Sequence, residues 1–76
     1  MIRFVAVSSI IQQIIEMDYT VDEMKQGVIE FLINNPEVTI SNLAVKIVDS
    51  GVDIVYASQI TGVSVEEINR LKDVRH

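Results

Sequence analysis

Apolar residues recur at the start of the chain with the spacing of one face of an α-helix. Five of them fall at i, i+3, i+4, i+7 and i+8: Val7, Ile10, Ile11, Ile14 and Ile15. This repeat predicts a helix from about Val5 to Met17 that carries a broad apolar stripe. The β-branched residues before Ser8 also suit a short strand, so residues 1–7 are compatible with either helix or strand.

Capping patterns divide the next part of the chain into two helices. Thr20 with Glu23 three residues later is the pattern of a capping box and predicts the start of a second helix. Pro36 disfavours helical geometry in the residue before it, so this helix is expected to end there. Thr39 is expected to cap a third helix, and Gly51 to end it in the left-handed conformation. The inward positions of these two helices are expected to be Val21, Met24, Val28, Phe31, Leu32, Ile40, Leu43, Ala44, Ile47 and Val48.

Two short helices are predicted after Gly51. The fourth runs from Asp53 to about Thr61, and Gly62 closes it. Ser64 with Glu67 is a second capping-box pattern that opens the last helix. Their inward positions are expected to be Ile54, Ala57, Ile60, Val65, Ile68 and Leu71. The sequence therefore predicts an all-α domain over residues 1–76, a compact bundle of about five short helices.

Composition adds an expectation about association. A domain of 76 residues buries only about 60% of the surface of its unfolded chain, yet 49% of these residues are hydrophobic and the mean hydropathy is +0.33. Apolar surface is therefore expected to be shared between two copies, which favours a homodimer. The expected interface is the stripe of the first helix, formed by Val7, Ile10, Ile11, Ile14 and Ile15. The chain has no Cys, which fits a cytoplasmic location.

Residues 54–71 resemble the helix-turn-helix superfamily, which predicts a helix-turn-helix-like pair at the C-terminal end of the bundle. Ser58, four residues before Gly62, occupies the slot that must be small for the two helices to approach closely. Gly62 permits the positive φ of the tight turn, and Ser64 caps the following helix. That helix is expected to pack back against the preceding one through Ile68 and Leu71.

The resemblance implies a regulator of transcription whose last helix enters the major groove of DNA. The residues that it places toward DNA are Ser64, Val65, Glu66, Asn69, Arg70 and Lys72. Asn69 is suited to adenine and Arg70 to guanine. Half of the Lys and Arg residues lie in the last seven positions, where Arg75 and His76 follow Lys72. The alternative that this helix face is merely solvated stays open.

The charge of the chain favours a second function class. The net charge is −5, the opposite sign to that of a typical DNA-binding domain. An acidic protein-interaction module, of the antitoxin, anti-repressor or assembly-factor type, would use this charge without binding DNA. Its expected surface is acidic and lies on the first two helices: Glu16, Asp18, Asp22, Glu23 and Glu30. A purely structural, oligomerising fragment is a third reading.

Catalysis, cofactors and metals are not expected. The single His is His76, there is no thiol, and the three glycines never cluster into a phosphate-binding loop. Asp49 and Asp53 flank Gly51 but supply too few oxygens for calcium, and are expected to cap helices instead. No small-molecule substrate is expected. A membrane is not expected as a partner either, because no run approaches the roughly 18 consecutive apolar residues of a spanning helix. The aromatic and methionine side chains are expected in the core: Phe4, Phe31, Tyr19, Tyr56, Met17 and Met24.

Overall fold

The helices of the protein follow the apolar repeats of its sequence. The computed structural model describes residues 4–74, which form α1 (Val7–Glu16), α2 (Val21–Asn34), α3 (Ile40–Asp49), α4 (Ile54–Thr61) and α5 (Val65–Val74). This part of the chain contains no strand, and the predicted all-α class is confirmed. Of the ambiguous stretch 1–7, residues 1–3 lie outside the described residues, as do Arg75 and His76; Val7 is helical.

The starts of the helices show which capping patterns form. Thr20 Oγ1 accepts the N–H of Glu23 at 3.2 Å, and the Glu23 carboxylate accepts the N–H of Thr20 at 2.8 Å, which completes the predicted box. The second box is only half formed. Ser64 Oγ accepts the N–H of Glu67 at 3.1 Å, but the Glu67 carboxylate pairs with Arg70. The expectation of a full capping box at Ser64 is therefore wrong, because Arg70 competes for the carboxylate.

Helix α1 begins two residues later than predicted. Ala6 is extended (φ −158°, ψ 163°), and Ser9 Oγ accepts the N–H groups of Ala6 and Val5 at 3.2 and 3.3 Å. A serine hydroxyl thus binds amides that precede the helix, as the carboxylate of a capping box does. The apolar repeat does not reveal this cap, because Ser9 lies on the polar side of the predicted stripe.

Helices α3 and α4 form the centre of the bundle. Helix α3 packs against α1, α4 and α5, and α4 packs against α2, α3 and α5. Leu43, Ala44 and Ile47 of α3 are fully buried, and Val45, which the predicted face omits, is buried as well. The described residues form a unit of 35 × 25 × 18 Å. Within them, no helix is both long and apolar enough to cross a membrane.

The C-terminal end of α1 differs most from expectation. Met17 is 82% exposed, so its predicted place in the core is wrong. It follows the last residue of α1 in the left-handed conformation (φ 57°, ψ 33°), outside the helical geometry on which the prediction is based. Tyr19 is also exposed rather than buried, and Tyr56 is only half-buried. The other expected core residues of this class, Phe4, Phe31 and Met24, are buried.

The stripe on α1 faces the interior of the chain along most of its length. Ile10 is fully buried, whereas Val7, Ile11 and Ile14 are half-buried against the core. Ile10 therefore has no surface to offer a second copy, and the assignment of this residue to a dimer interface is wrong. Only Ile15, at 64% exposure, stands clear of the core.

Candidate functional site

A tight turn joins α4 to α5. Gly62 has φ 79° and ψ 1°, and its N–H donates to the carbonyl of Ser58 at 2.8 Å. The Thr61 hydroxyl donates to the carbonyl of Ala57 at 2.7 Å and accepts the N–H of Val63 at 3.3 Å. Thr61 and Val63 are both buried. Buried hydrogen bonds on both sides of Gly62 therefore fix the direction in which α5 leaves α4.

Three helices hold this turn in place. Helix α3 packs on both α4 and α5, and the contact buries Ala57, Ile60 and Ile68 almost completely. Ser58 is half-buried, so the small residue buried most deeply near the turn is Ala57. Leu71 is half-buried against the same core. The apolar side of α5 is thus committed to the bundle, and its opposite side faces solvent.

The outward side of α5 carries most of the residues predicted to contact DNA. Ser64, Glu66, Asn69 and Arg70 are exposed, while Val65 and Lys72 are half-buried. The hydroxyl of Ser64 caps the helix. Arg70 Nε donates to Glu67 Oε1 at 3.2 Å, and its terminal nitrogen pairs with the other carboxylate oxygen. The guanidinium that would read a base is therefore held by a carboxylate of its own helix.

A second surface lies at the other end of α4. An apolar groove of about 580 Å³ opens between the end of α1, the two connections 17–20 and 50–53, and the start of α4. The side chains that give it apolar character are Ile14, Ile15, Met17, Val21, Val52 and the ring of Tyr56. Tyr19 and Asp53 also line it. We call this surface the groove.

Polar groups at the groove are tied into the ends of the helices. The Asp53 carboxylate accepts the N–H of Tyr56 at 3.1 Å and caps α4, as predicted. Partial burial of the Tyr56 ring raises the pKa of its phenol. The Thr20 hydroxyl, which also lines the groove, caps α2. These contacts fix the walls of the groove without filling it.

The predicted acidic surface neighbours the groove in the sequence, since Glu16 and Asp18 flank Met17, although none of its five residues lines the groove. All five of its residues are exposed: Glu16, Asp18, Asp22, Glu23 and Glu30. Among the residues that the structure describes, no group of three or more His, Asp or Glu side chains is placed to hold a metal ion. No protein-family model, curated protein sequence or solved structure matches this chain.

The groove is absent from the sequence-based predictions because its residues come from two segments about thirty positions apart in the chain. Helical periodicity describes each helix alone and does not reveal that the end of α1 meets the start of α4. One local signal does point to it. Met17 and Tyr19 place large apolar side chains beyond Ile15, the last residue of the helical repeat, in a stretch that is otherwise acidic.

Proposed function

We propose that this chain is a small regulator that contacts DNA with the outward side of α5. The observation that carries the proposal is the arrangement of α3, α4 and α5 around the Gly62 turn. It commits Ile68 to the core and leaves Asn69 and Arg70 exposed on the opposite side of α5. A recognition helix requires this combination of a fixed apolar side and a free polar side.

The charge distribution restricts the contact to the C-terminal half of α5 and the residues after it. Residues 68–76 contain Arg70, Lys72 and Arg75 against Asp73, a net charge of +2, so residues 1–67 carry −7. Glu66 and Glu67 lie in the first turn of α5, where they oppose a phosphate. Phosphate contacts are therefore few, and the affinity is expected to be weak and dependent on salt.

A homodimer belongs to this proposal. Two copies of α5 would double the phosphate contacts and present two reading helices, as dimeric regulators do. Ile10 takes no part in such a contact, because it is fully buried within its own chain. Sedimentation velocity over a range of protein concentrations tests the dimer separately from DNA binding.

The DNA contact is tested by fluorescence anisotropy of labelled duplexes of mixed sequence across a salt series. A single protomer with about three phosphate contacts is expected to lose about 40-fold in affinity between about 50 and 200 mM salt, and a dimer that doubles these contacts is expected to show about twice that salt slope. The double variant Arg70→Gln, Lys72→Gln is expected to lose its binding to these duplexes. Its control, Lys25→Gln with Lys46→Gln, removes the same charge from exposed positions on α2 and α3. Equal losses in both variants, or no binding at the lowest salt, would refute the assigned surface.

The groove favours a second candidate function, that of an acidic module that docks on another protein. It combines exposed apolar side chains, such as Ile15 and Met17, with neighbouring carboxylates. This surface lies at the opposite end of α4 from the Gly62 turn. The two functions therefore use different residues and can be tested one at a time.

A further inference from the structure

We propose that the groove binds a cationic amphipathic helix of a partner protein. The inference rests on the second candidate function and is independent of DNA contact by α5. Its basis is that the segments which form an accessible apolar groove are also the most acidic part of the chain.

The apolar part of the groove is open to a partner. Ile14, Val21 and Val52 are half-buried along it, while Ile15 is 64% and Met17 82% exposed beside them. Large apolar side chains in a contiguous exposed patch indicate an interaction site more strongly than scattered ones. A concave apolar surface of this kind suits the apolar face of a helix, whose side chains enter at i, i+3 or i+4 and i+7.

The charge around the groove decides which helix fits. Residues 14–21 and 50–56 form the groove, and Asp53 is the carboxylate that lines it. Together with their direct neighbours in the chain, residues 22, 23 and 49, these segments contain six carboxylates and no Lys or Arg: Glu16, Asp18, Asp22, Glu23, Asp49 and Asp53. These segments carry a charge of −6, so the other 58 residues of the chain, with its total of −5, carry +1. The acidic character of the protein is thus concentrated on the segments that carry the groove. A partner with Lys or Arg beside its apolar face complements it.

The same charge disfavours the other occupants. A second copy of this chain that docked by the same surface would bring the acidic segments of both copies together, and this repulsion opposes an isologous contact. A nucleic acid would place its phosphates against these carboxylates.

Hydrogen bonds within the chain orient several of the carboxylates. Glu23 and Asp53 accept backbone N–H groups, and Glu16 accepts the side-chain amide of Gln12 at 2.9 Å.

Met17 is a further reason to assign a partner to this surface. Its backbone is in the left-handed conformation that favours glycine, yet the residue is a methionine with an almost fully exposed side chain. Packing within the chain does not account for a methionine here. Its flexible, polarizable side chain adapts to the shape of an apolar partner.

The test uses the full chain and labelled synthetic peptides of one length. The probe is a Lys/Leu peptide with leucines at i, i+3, i+4 and i+7. One control is a scrambled peptide of the same composition, and the other is a Glu/Leu peptide of the same pattern. Affinity is measured by anisotropy, and the bound surface is mapped by amide chemical shifts. The Lys/Leu peptide is expected to bind with an affinity at least about tenfold higher than that of either control. Its binding is expected to shift the amide signals of residues 14–23 and 49–56.

Variants separate the apolar and the charged parts of the groove. Ile15→Gln with Met17→Gln changes only exposed side chains, and it is expected to weaken the peptide at least about tenfold. Its control is Ile33→Gln, a 69% exposed residue of α2. Asp18→Asn with Asp22→Asn is expected to weaken binding and reduce its salt dependence. The control, Glu37→Gln with Asp73→Asn, removes two exposed carboxylates that do not line the groove and is expected to leave both quantities nearly unchanged.

Three results would overturn the proposal. Equal binding of the patterned and scrambled peptides would show that only net charge is recognised. Amide chemical-shift changes confined to other surfaces would show that the peptide does not bind at the groove, although a protein-interaction function would still stand. A dimer of the unmodified chain that Ile15→Gln with Met17→Gln dissociates would make a second copy the occupant. Binding to DNA in the salt series bears on none of these outcomes, so the two proposals fail separately.

Discussion

Glu67 and Arg70 form an ion pair on the outward side of α5, with Arg70 Nε 3.2 Å from Glu67 Oε1. Their side chains are 37% and 64% exposed. An exposed pair at i, i+3 contributes at most about 1 kcal/mol to stability, because solvent screens it. Its larger effect is on binding, since it neutralises the guanidinium that the proposed DNA contact needs.

Removing the carboxylate of this pair is expected to strengthen DNA binding. Glu67→Gln frees Arg70 and removes a negative charge from the first turn of α5, while the backbone N–H of residue 67 still donates to Ser64. Affinity at low salt is expected to rise about threefold to tenfold, and the salt slope to steepen by about one phosphate contact. Anisotropy titrations measure both quantities.

The matched control is Glu37→Gln, which removes one charge from an exposed position outside the helices. If both variants raise the affinity equally, the gain comes from net charge alone, and Arg70 has no specific role.

The Thr61 hydroxyl is expected to stabilise the turn between α4 and α5. Thr61→Val keeps the shape of the side chain but leaves the N–H of Val63 without its acceptor in a buried turn. The free energy of unfolding is expected to fall by about 1–3 kcal/mol. Denaturant unfolding measures the loss, and hydrogen exchange of the Val63 amide locates it. Thr61→Ser keeps the hydroxyl, so protection of that amide should persist; rapid exchange in both variants would contradict the assigned role.

Local chemistry predicts most of the helical framework, and Thr20, Thr39 and Asp53 cap the helices as expected. These residues act on amides three positions away, so the information is contained in a few neighbouring letters. The Thr61 bond is also local, but threonine in the last turn of a helix has many possible partners, and only the folded turn selects Val63.

The groove could not be predicted in this way, because it depends on where α1 ends relative to α4. The apolar repeat of α1 assigns Ile10 and Ile15 to one stripe, although one is fully buried and the other 64% exposed. A periodic pattern states which side of a helix is apolar. It does not state how far the neighbouring helices cover that side, and at the end of α1 they leave it open.

Replacing Met17 by glycine tests backbone strain. Its expected effect on stability has the opposite sign to that of most glycine substitutions. A left-handed non-glycine residue costs about 1–2 kcal/mol, and glycine loses about 0.5–1 kcal/mol more entropy on folding. Met17→Gly is therefore expected to stabilise the fold by about 0.5–1 kcal/mol, since the side chain is 82% exposed and little burial is lost. The same variant is expected to lower the affinity of the groove for the cationic peptide.

Glu16→Gly, one residue earlier and still within α1, is the control and is expected to destabilise by about 1 kcal/mol. Thermal or urea unfolding compares the two variants. Destabilisation by Met17→Gly would mean that the methionine side chain makes contacts that outweigh the strain of its backbone.

Tyr56 makes stability depend on alkaline pH. Burial raises the pKa of its phenol above the ordinary value near 10, so the folded state holds this proton more tightly than the unfolded state. Below about pH 10 the phenol is neutral in both states, and its contribution to stability is constant. Above that pH the unfolded state ionises first, so stability falls as the pH rises toward the folded pKa. Tyr56→Phe is expected to make this decline shallower, as measured by urea midpoints on both sides of pH 10. The informative quantity is the difference between Tyr56→Phe and the unmodified chain at each pH, and equal slopes for the two would rule out the phenol as the cause of the decline.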